Sequence, residues 1–360
     1  MKQIMTVMGP ITPDKLGVTS MHEHLFGNLS SFRSQFESLI PEKFRDLKDE
    51  PVSMQYISLV RRIPQALLDN LVLDDEELIC AEVSDFKQSG GDAIVEMSVP
   101  GQRFNVKALP HVSEKTGVHV VATTGLYLGF TWPAQFREMT IEQFVKYMLD
   151  EIEQGIEDTG IKAGHIKIGI DDLSPREERA LRAAARVALQ TGLSVTVHPS
   201  MRIGADGRRI VKILLEEGMD LKRAIIAHTD YFFIEYDMKT LVLNPNSWRL
   251  RLDYAKEILD KGANLSVDRL GDSTADEIFG IVAESDWQRF AGMVALIESG
   301  YSSQIVLGTD SGFKHCLRSY GGESYAHLWN YVVPKLRDLG VSEYDIRQMT
   351  VENPVRLLAR

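Results

Sequence analysis

Eight short apolar runs rich in β-branched residues recur along the chain, separated by longer amphipathic segments. Strands alternating with helices in this way build a parallel sheet covered by helices. The runs are residues 17–23 (GVTSMHE), 92–99 (DAIVEMSV), 118–124 (VHVVATT), 164–170 (GHIKIGI), 193–197 (LSVTV), 223–227 (RAIIA), 263–268 (ANLSVD) and 304–308 (QIVLG). Between them, residues 174–190 read as a helix, with Ser174 as cap, Pro175 at the first helical position, Glu177 and Glu178 in the first turn and Gly192 as stop. Residues 140–154 and 251–261 read likewise, the second closed by Gly262. No glycine-rich phosphate-binding fingerprint follows any strand, which argues against a doubly wound open sheet. Eight strands and about eight helices predict an α/β fold of the (β/α)8 TIM barrel type, residues 1–360 forming a single domain.

Three connections exceed the usual ~4–6 residues: residues 25–75 after strand one, 229–246 after strand six and 311–324 after strand eight. All leave from strand carboxyl ends, where a barrel builds its active site, so they are expected to wall or cover a pocket.

With 40 Lys+Arg against 51 Asp+Glu, the net charge is −11. No basic block stands out, so nucleic acid and anionic membranes are poor partners and a small-molecule substrate is expected. Two cysteines, Cys80 and Cys316, make no disulfide framework. The amino terminus is broken by Gly9-Pro10 and Pro13 before any signal-length apolar run, and nothing approaches the ~20 apolar residues of a membrane span. A cytoplasmic protein is expected, with a homodimer as one arrangement open to it.

The strand ends carry the chemistry. Strand one runs into His22-Glu23-His24, strand four carries Lys167, strand five ends at His198, strand six at His228 and strand eight at Asp310. Alternation puts His22 and His24 on one side, so both can reach a single metal ion while Glu23 faces away. His111, His119 and His165 lack this placement and read as structural or surface residues. Lys167, mid-strand in an apolar run, carries a desolvation cost if charged. A neutral amine beside a metal can capture carbon dioxide as a carbamate, whose two oxygens can bridge two ions; a lysine snorkelling to the rim is the alternative.

This ordered set, His-x-His, Lys, His, His and Asp on strands one, four, five, six and eight, resembles the phosphotriesterase family of the amidohydrolase superfamily. So do the segments MHEHL, TTGLY, MLDEIEQGIEDTGIKAGHIKIG, LRAAARVALQTGLSVTVHPS, IIAHTD, LGTD and ENPVRLL. The resemblance implies that His22, His24 and Asp310 hold one divalent metal ion and His198 and His228 a second. Carboxylated Lys167 and a hydroxide bridge the two, and Asp310 acts as the catalytic proton acceptor. Zinc is the first expectation; manganese, cobalt or iron suit the same donors. Tyr127 and Arg269 match positions of the lactone-hydrolysing branch and would orient a substrate oxygen. The last loop adds Lys314, His315, Arg318 and Tyr320, of which Lys314 and Arg318 in particular could meet an anionic substrate group. These features point to a binuclear hydrolase acting on a lactone or carboxylic ester. Amide (N-acyl) or phosphate ester hydrolysis at the same site is one alternative, a non-catalytic metal-binding barrel another.

Overall fold

The structure, a computed structural model, describes residues 2–200, 206–235, 239, 243, 249–272, 274–280 and 285–360. Its main sheet has eight strands: β1 (Thr19–Glu23), β2 (Ala93–Glu96), β3 (His119–Leu126), β4 (His165–Ile170), β5 (Val195–Pro199), β6 (Ala224–Ile226), β7 (Asn264–Val267) and β8 (Ile305–Leu307). They neighbour one another in chain order and every ladder pair is parallel. Each of the eight apolar runs thus becomes a strand.

The helices that follow are α1 (Glu76–Gln88), α2 (Leu109–Thr116), α3 (Ile141–Glu153), α4 (Pro175–Thr191), α5 (Gly207–Glu216), α6 (Asp253–Asp260), α7 (Asp286–Glu298) and α8 (Val333–Asp338), with three further helical segments over 343–358. Helix α3 opens on a capping box from Thr140 and Gln143, and α4 ends at Gly192 with φ +74°. At the start of α4, Ser174 and Glu177 form a capping box, and the Glu177 carboxylate also accepts from the N–H groups of Gly129, Asp171 and Asp172. A charged acceptor in reach of several loop amides ties the strand ends to the helix start.

The ladder does not run between β8 and β1, and side chains close that seam. The Asp310 N–H donates to the His22 carbonyl (3.1 Å), while the buried Glu23 carboxylate accepts from the Thr309 N–H (2.9 Å) and hydroxyl (2.6 Å). A Cβ on Gly308 would lie 2.8 Å from the His22 carbonyl oxygen, so only glycine allows this approach. The barrel interior is filled by buried Met21, Val95, Val121, Ile225 and Val306 below the carboxyl rim, and the helices bury a second apolar layer outside it. Among the described residues no helix is long and apolar enough to cross a membrane.

Candidate active site

The strands bring all six expected ligands to one rim. His22, His24, Lys167 and His228 are buried; His198 and Asp310 keep slight exposure. The six are joined by short contacts: Lys167 Nζ to His22 Nε2 at 2.9 Å, His22 Nε2 to Asp310 Oδ1 at 3.4 Å, and His24 Nε2 to the same oxygen at 3.1 Å. His228 Nε2 lies 4.0 Å from Asp310 Oδ2 and 2.5 Å from His198 Nδ1. His228 and Asp310 take φ of +55° and +50°, a left-handed backbone just past their strands that turns both side chains inward.

The orientation of two of these rings depends on a residue that the strand-end pattern did not single out. Asp268, at the end of β7 and fully buried, meets His22 Nδ1 at 2.7 Å with one oxygen and His228 Nδ1 at 2.8 Å with the other. A carboxylate only accepts, so both Nδ1 atoms carry the proton and both Nε2 atoms turn lone pairs to the centre. His24 is held through Nδ1 by Ser98 Oγ (2.9 Å) and Gln102 Nε2 (3.0 Å). The signal for Asp268 was its place immediately before Arg269 at a strand terminus.

Burial pulls His22 down to about 4, helped by the neighbouring Lys167 ammonium, so the ring is neutral at pH 7. Burial likewise lowers Lys167 to about 8, against the pull of Asp310 and Asp268. Burial works against the Asp310 carboxylate, yet His22, His24, His228 and Arg269 hold it well below its ordinary range. The result is a largely buried cluster in which His22, His228 and Asp310 each offer one ligand atom, all within 4.8 Å of one another. Such a set fits a divalent cation, because acceptors packed against acceptors repel unless a cation sits between them.

Beside it lies a cavity of about 130 Å³ lined by His198, His228, Tyr127, Arg269 and aromatic groups, Phe32, Tyr231 and Phe313 from the three long loops and Phe279 from the connection after β7. The Tyr127 ring stands 5.2 Å from that of His198. Gly125, φ +126°, lets β3 reach this point, since a Cβ there would make an impossible clash with the Lys167 carbonyl oxygen. The first, sixth and eighth loops thus do wall the pocket, although most of residues 236–248 lies outside the described residues.

Other expectations are not met by position. Lys314 is paired with Asp69 at 2.6 Å and Arg318, well exposed, with Asp85 at 2.9 Å; neither lines this cavity. His315 is buried against Asn70 and Thr274. Arg269 does line the cavity, but its guanidinium donates to Asp310 (3.2 Å) and Asp272. His165, buried between Ser194 and Thr196, is structural as expected.

A parallel barrel whose carboxyl rim gathers imidazole and carboxylate ligands beside an aromatic cavity falls in the class of barrel hydrolases. Within that class the chain belongs to the phosphotriesterase family, whose profile matches residues 2–358. It is 33% identical over 357 residues to a phosphotriesterase-related protein of Nematostella vectensis, covering 97% of this chain and 96% of the relative. It is also 32% identical to an N-acetyltaurine hydrolase of Xenopus tropicalis, with 99% and 97% covered. Among solved structures, a resiniferatoxin-binding protein from Rhodobacter sphaeroides superposes with a TM-score of 0.85 at 29% identity, covering 99% of this chain and 94% of that one.

Proposed function

We propose that the protein is a binuclear metal-dependent hydrolase that opens lactones or other uncharged carboxylic esters. The observation that supports this reading is the convergence at the rim of His22, His228 and Asp310, whose possible ligand atoms lie within 4.8 Å of one another, with Asp268 turning both Nε2 atoms toward them. His22, His24 and Asp310 would hold one ion, His198 and His228 the other, and Lys167 as its carbamate would bridge them. Zinc is the first choice, with manganese, cobalt or iron compatible. Bound there, the ions supply an activated water and a Lewis acid for the carbonyl oxygen.

The chain's own groups do the rest. Asp310 takes the water's proton on a carboxylate oxygen and passes it to the leaving alkoxide. Asp268 keeps the His22 and His228 rings turned inward through the cycle. Tyr127 and the aromatic wall seat the substrate and keep bulk solvent off it, leaving the activated water as the one that reaches the carbonyl carbon. An uncharged substrate is favoured because, among the described lining residues, the only cationic side chain is Arg269, already offset by Asp310 and Asp272.

A second reading, hydrolysis of an N-acyl amide, is supported by relatives that are N-acetyltaurine hydrolases. Turnover by zinc- or manganese-loaded protein on neutral lactones, aryl esters, N-acyl amino acids and N-acyl aminosulfonates separates the two. Lactone or ester turnover at least tenfold above amide turnover is expected. The reverse order establishes the second reading, and inactivity on all four classes with two metal equivalents bound overturns both.

A further inference from the structure

Across Arg269 from the rim, the fold assembles a second set of ligand atoms drawn from two distant loops. We propose that Asp272, His315 and Cys316 form a separate site for one thiophilic divalent cation of the zinc or cobalt(II) type. Their ligand atoms lie within 4.8 Å of one another; Asp272 and His315 are buried and Cys316 is half-buried.

The imidazole is oriented for this task. Asn70 Oδ1 accepts from the His315 backbone N–H (3.0 Å) and stands 2.9 Å from His315 Nδ1, while Asn70 Nδ2 donates to the Pro64 carbonyl (3.0 Å). A backbone N–H can only donate, so the amide orientation is fixed and Nδ1 must carry the ring proton. The lone pair of Nε2 faces the cluster, 3.7 Å from Cys316 Sγ, and accepts from the Thr274 hydroxyl at 2.7 Å, a hydrogen bond that a bound ion would replace. A ligating histidine with its other nitrogen tied to a carbonyl is the arrangement that sets tautomer and ring angle at metal sites.

Asp272 receives the Thr274 N–H on Oδ1 (2.7 Å) and Arg269 on Oδ2. A carboxylate accepts about four hydrogen bonds, so lone pairs remain for a metal. The cluster borders a cavity of about 340 Å³, which gives an ion entry and leaves room for a water as fourth ligand. Sulfur, imidazole and carboxylate together select zinc or cobalt over magnesium and calcium. On binding, a metal–sulfur bond replaces the S–H bond, the proton leaves to solvent, and nothing is oxidised or reduced. Asp272 links the site to Arg269 and through it to Asp310.

The rim ligands contain no sulfur, so cobalt(II) distinguishes the two sites. Cobalt added to the full chain should give a sulfur-to-cobalt charge-transfer band in the near ultraviolet. The band should persist in His22→Ala and vanish in Cys316→Ser, with one fewer cobalt bound. In the unaltered chain, zinc should slow alkylation of Cys316 tenfold or more. No band at saturating cobalt, a band that survives Cys316→Ser, or unchanged alkylation would each overturn the proposal. Because the band is independent of turnover, failure here leaves the hydrolase reading standing, and the converse holds.

Discussion

The Asp268 carboxylate, with an imidazole on each oxygen, shows how much of the site rests on a group that is not itself a ligand. In Asp268→Asn one amide oxygen must serve where two oxygens did, so one ring loses its acceptor. Metal affinity is expected to fall about 10- to 100-fold, read by competition with a chelator, with helical content unchanged. Lys167 is more demanding, since its amine is wholly buried among ring nitrogens and carboxylates. Lys167→Ala should abolish turnover and reduce bound metal, and the mass of the unaltered protein should exceed its sequence mass by one carbon dioxide under native conditions. Full activity in the variant, or an unmodified amine in active enzyme, would remove the carbamate from the mechanism.

Between strands, closure of the barrel is the step that gives His22 its position. The seam is made by Gly308 packing on the His22 backbone and by Glu23 gripping Thr309, not by a continued ladder. Gly308→Ala forces a methyl group against that backbone and is expected to cost about 1–3 kcal/mol. Urea denaturation would measure the loss, and metal content should fall with it because the strand carrying His22 and His24 moves. An unchanged midpoint would mean that the seam relaxes freely. At the same level, periodicity revealed all eight strands because each is buried on both faces and reads as a nearly continuous apolar run. Their ends were less legible: β3 continues to Leu126 past its apolar run, since Gly125 allows a close approach to Lys167 that no propensity encodes.

For the molecule as a whole, buried neutral histidines couple stability to pH. Burial lowers His22 to about 4, His165 to about 3 and His315 to about 4, whereas in the unfolded chain they titrate near 6.5. As pH falls below about 6.5 the unfolded state binds protons that the native state refuses, so stability present above that pH is lost progressively toward about 4. Glu23 acts oppositely: burial raises it to about 7, so it contributes stability at low pH that is lost as pH rises through about 7. Burial lowers His198 in the same way and raises Glu177 and Asp230 as it does Glu23. Because the histidines' unfolded value lies inside the interval, metal-free protein is expected to have a lower urea midpoint at pH 5 than at pH 7; an equal or higher midpoint at pH 5 would contradict this balance. Zinc, binding sites that exist only in the folded chain, should raise the thermal midpoint in a concentration-dependent way.

The strand count, the parallel order and the placing of His22, His24, Lys167, His198, His228 and Asp310 at one rim were legible in the sequence, because periodicity and the identity of the residues at each strand end are local properties. Which charges stay available was decided only by tertiary structure. Lys314 and Arg318 looked free along the chain but are paired with Asp69 and Asp85, and Arg269 is shared between Asp272 and Asp310. Asp268, which no strand-end pattern singled out, became the support of two rings. Ion pairs and buried hydrogen bonds depend on separation in space and on exclusion of water, and neither exists until distant segments have packed.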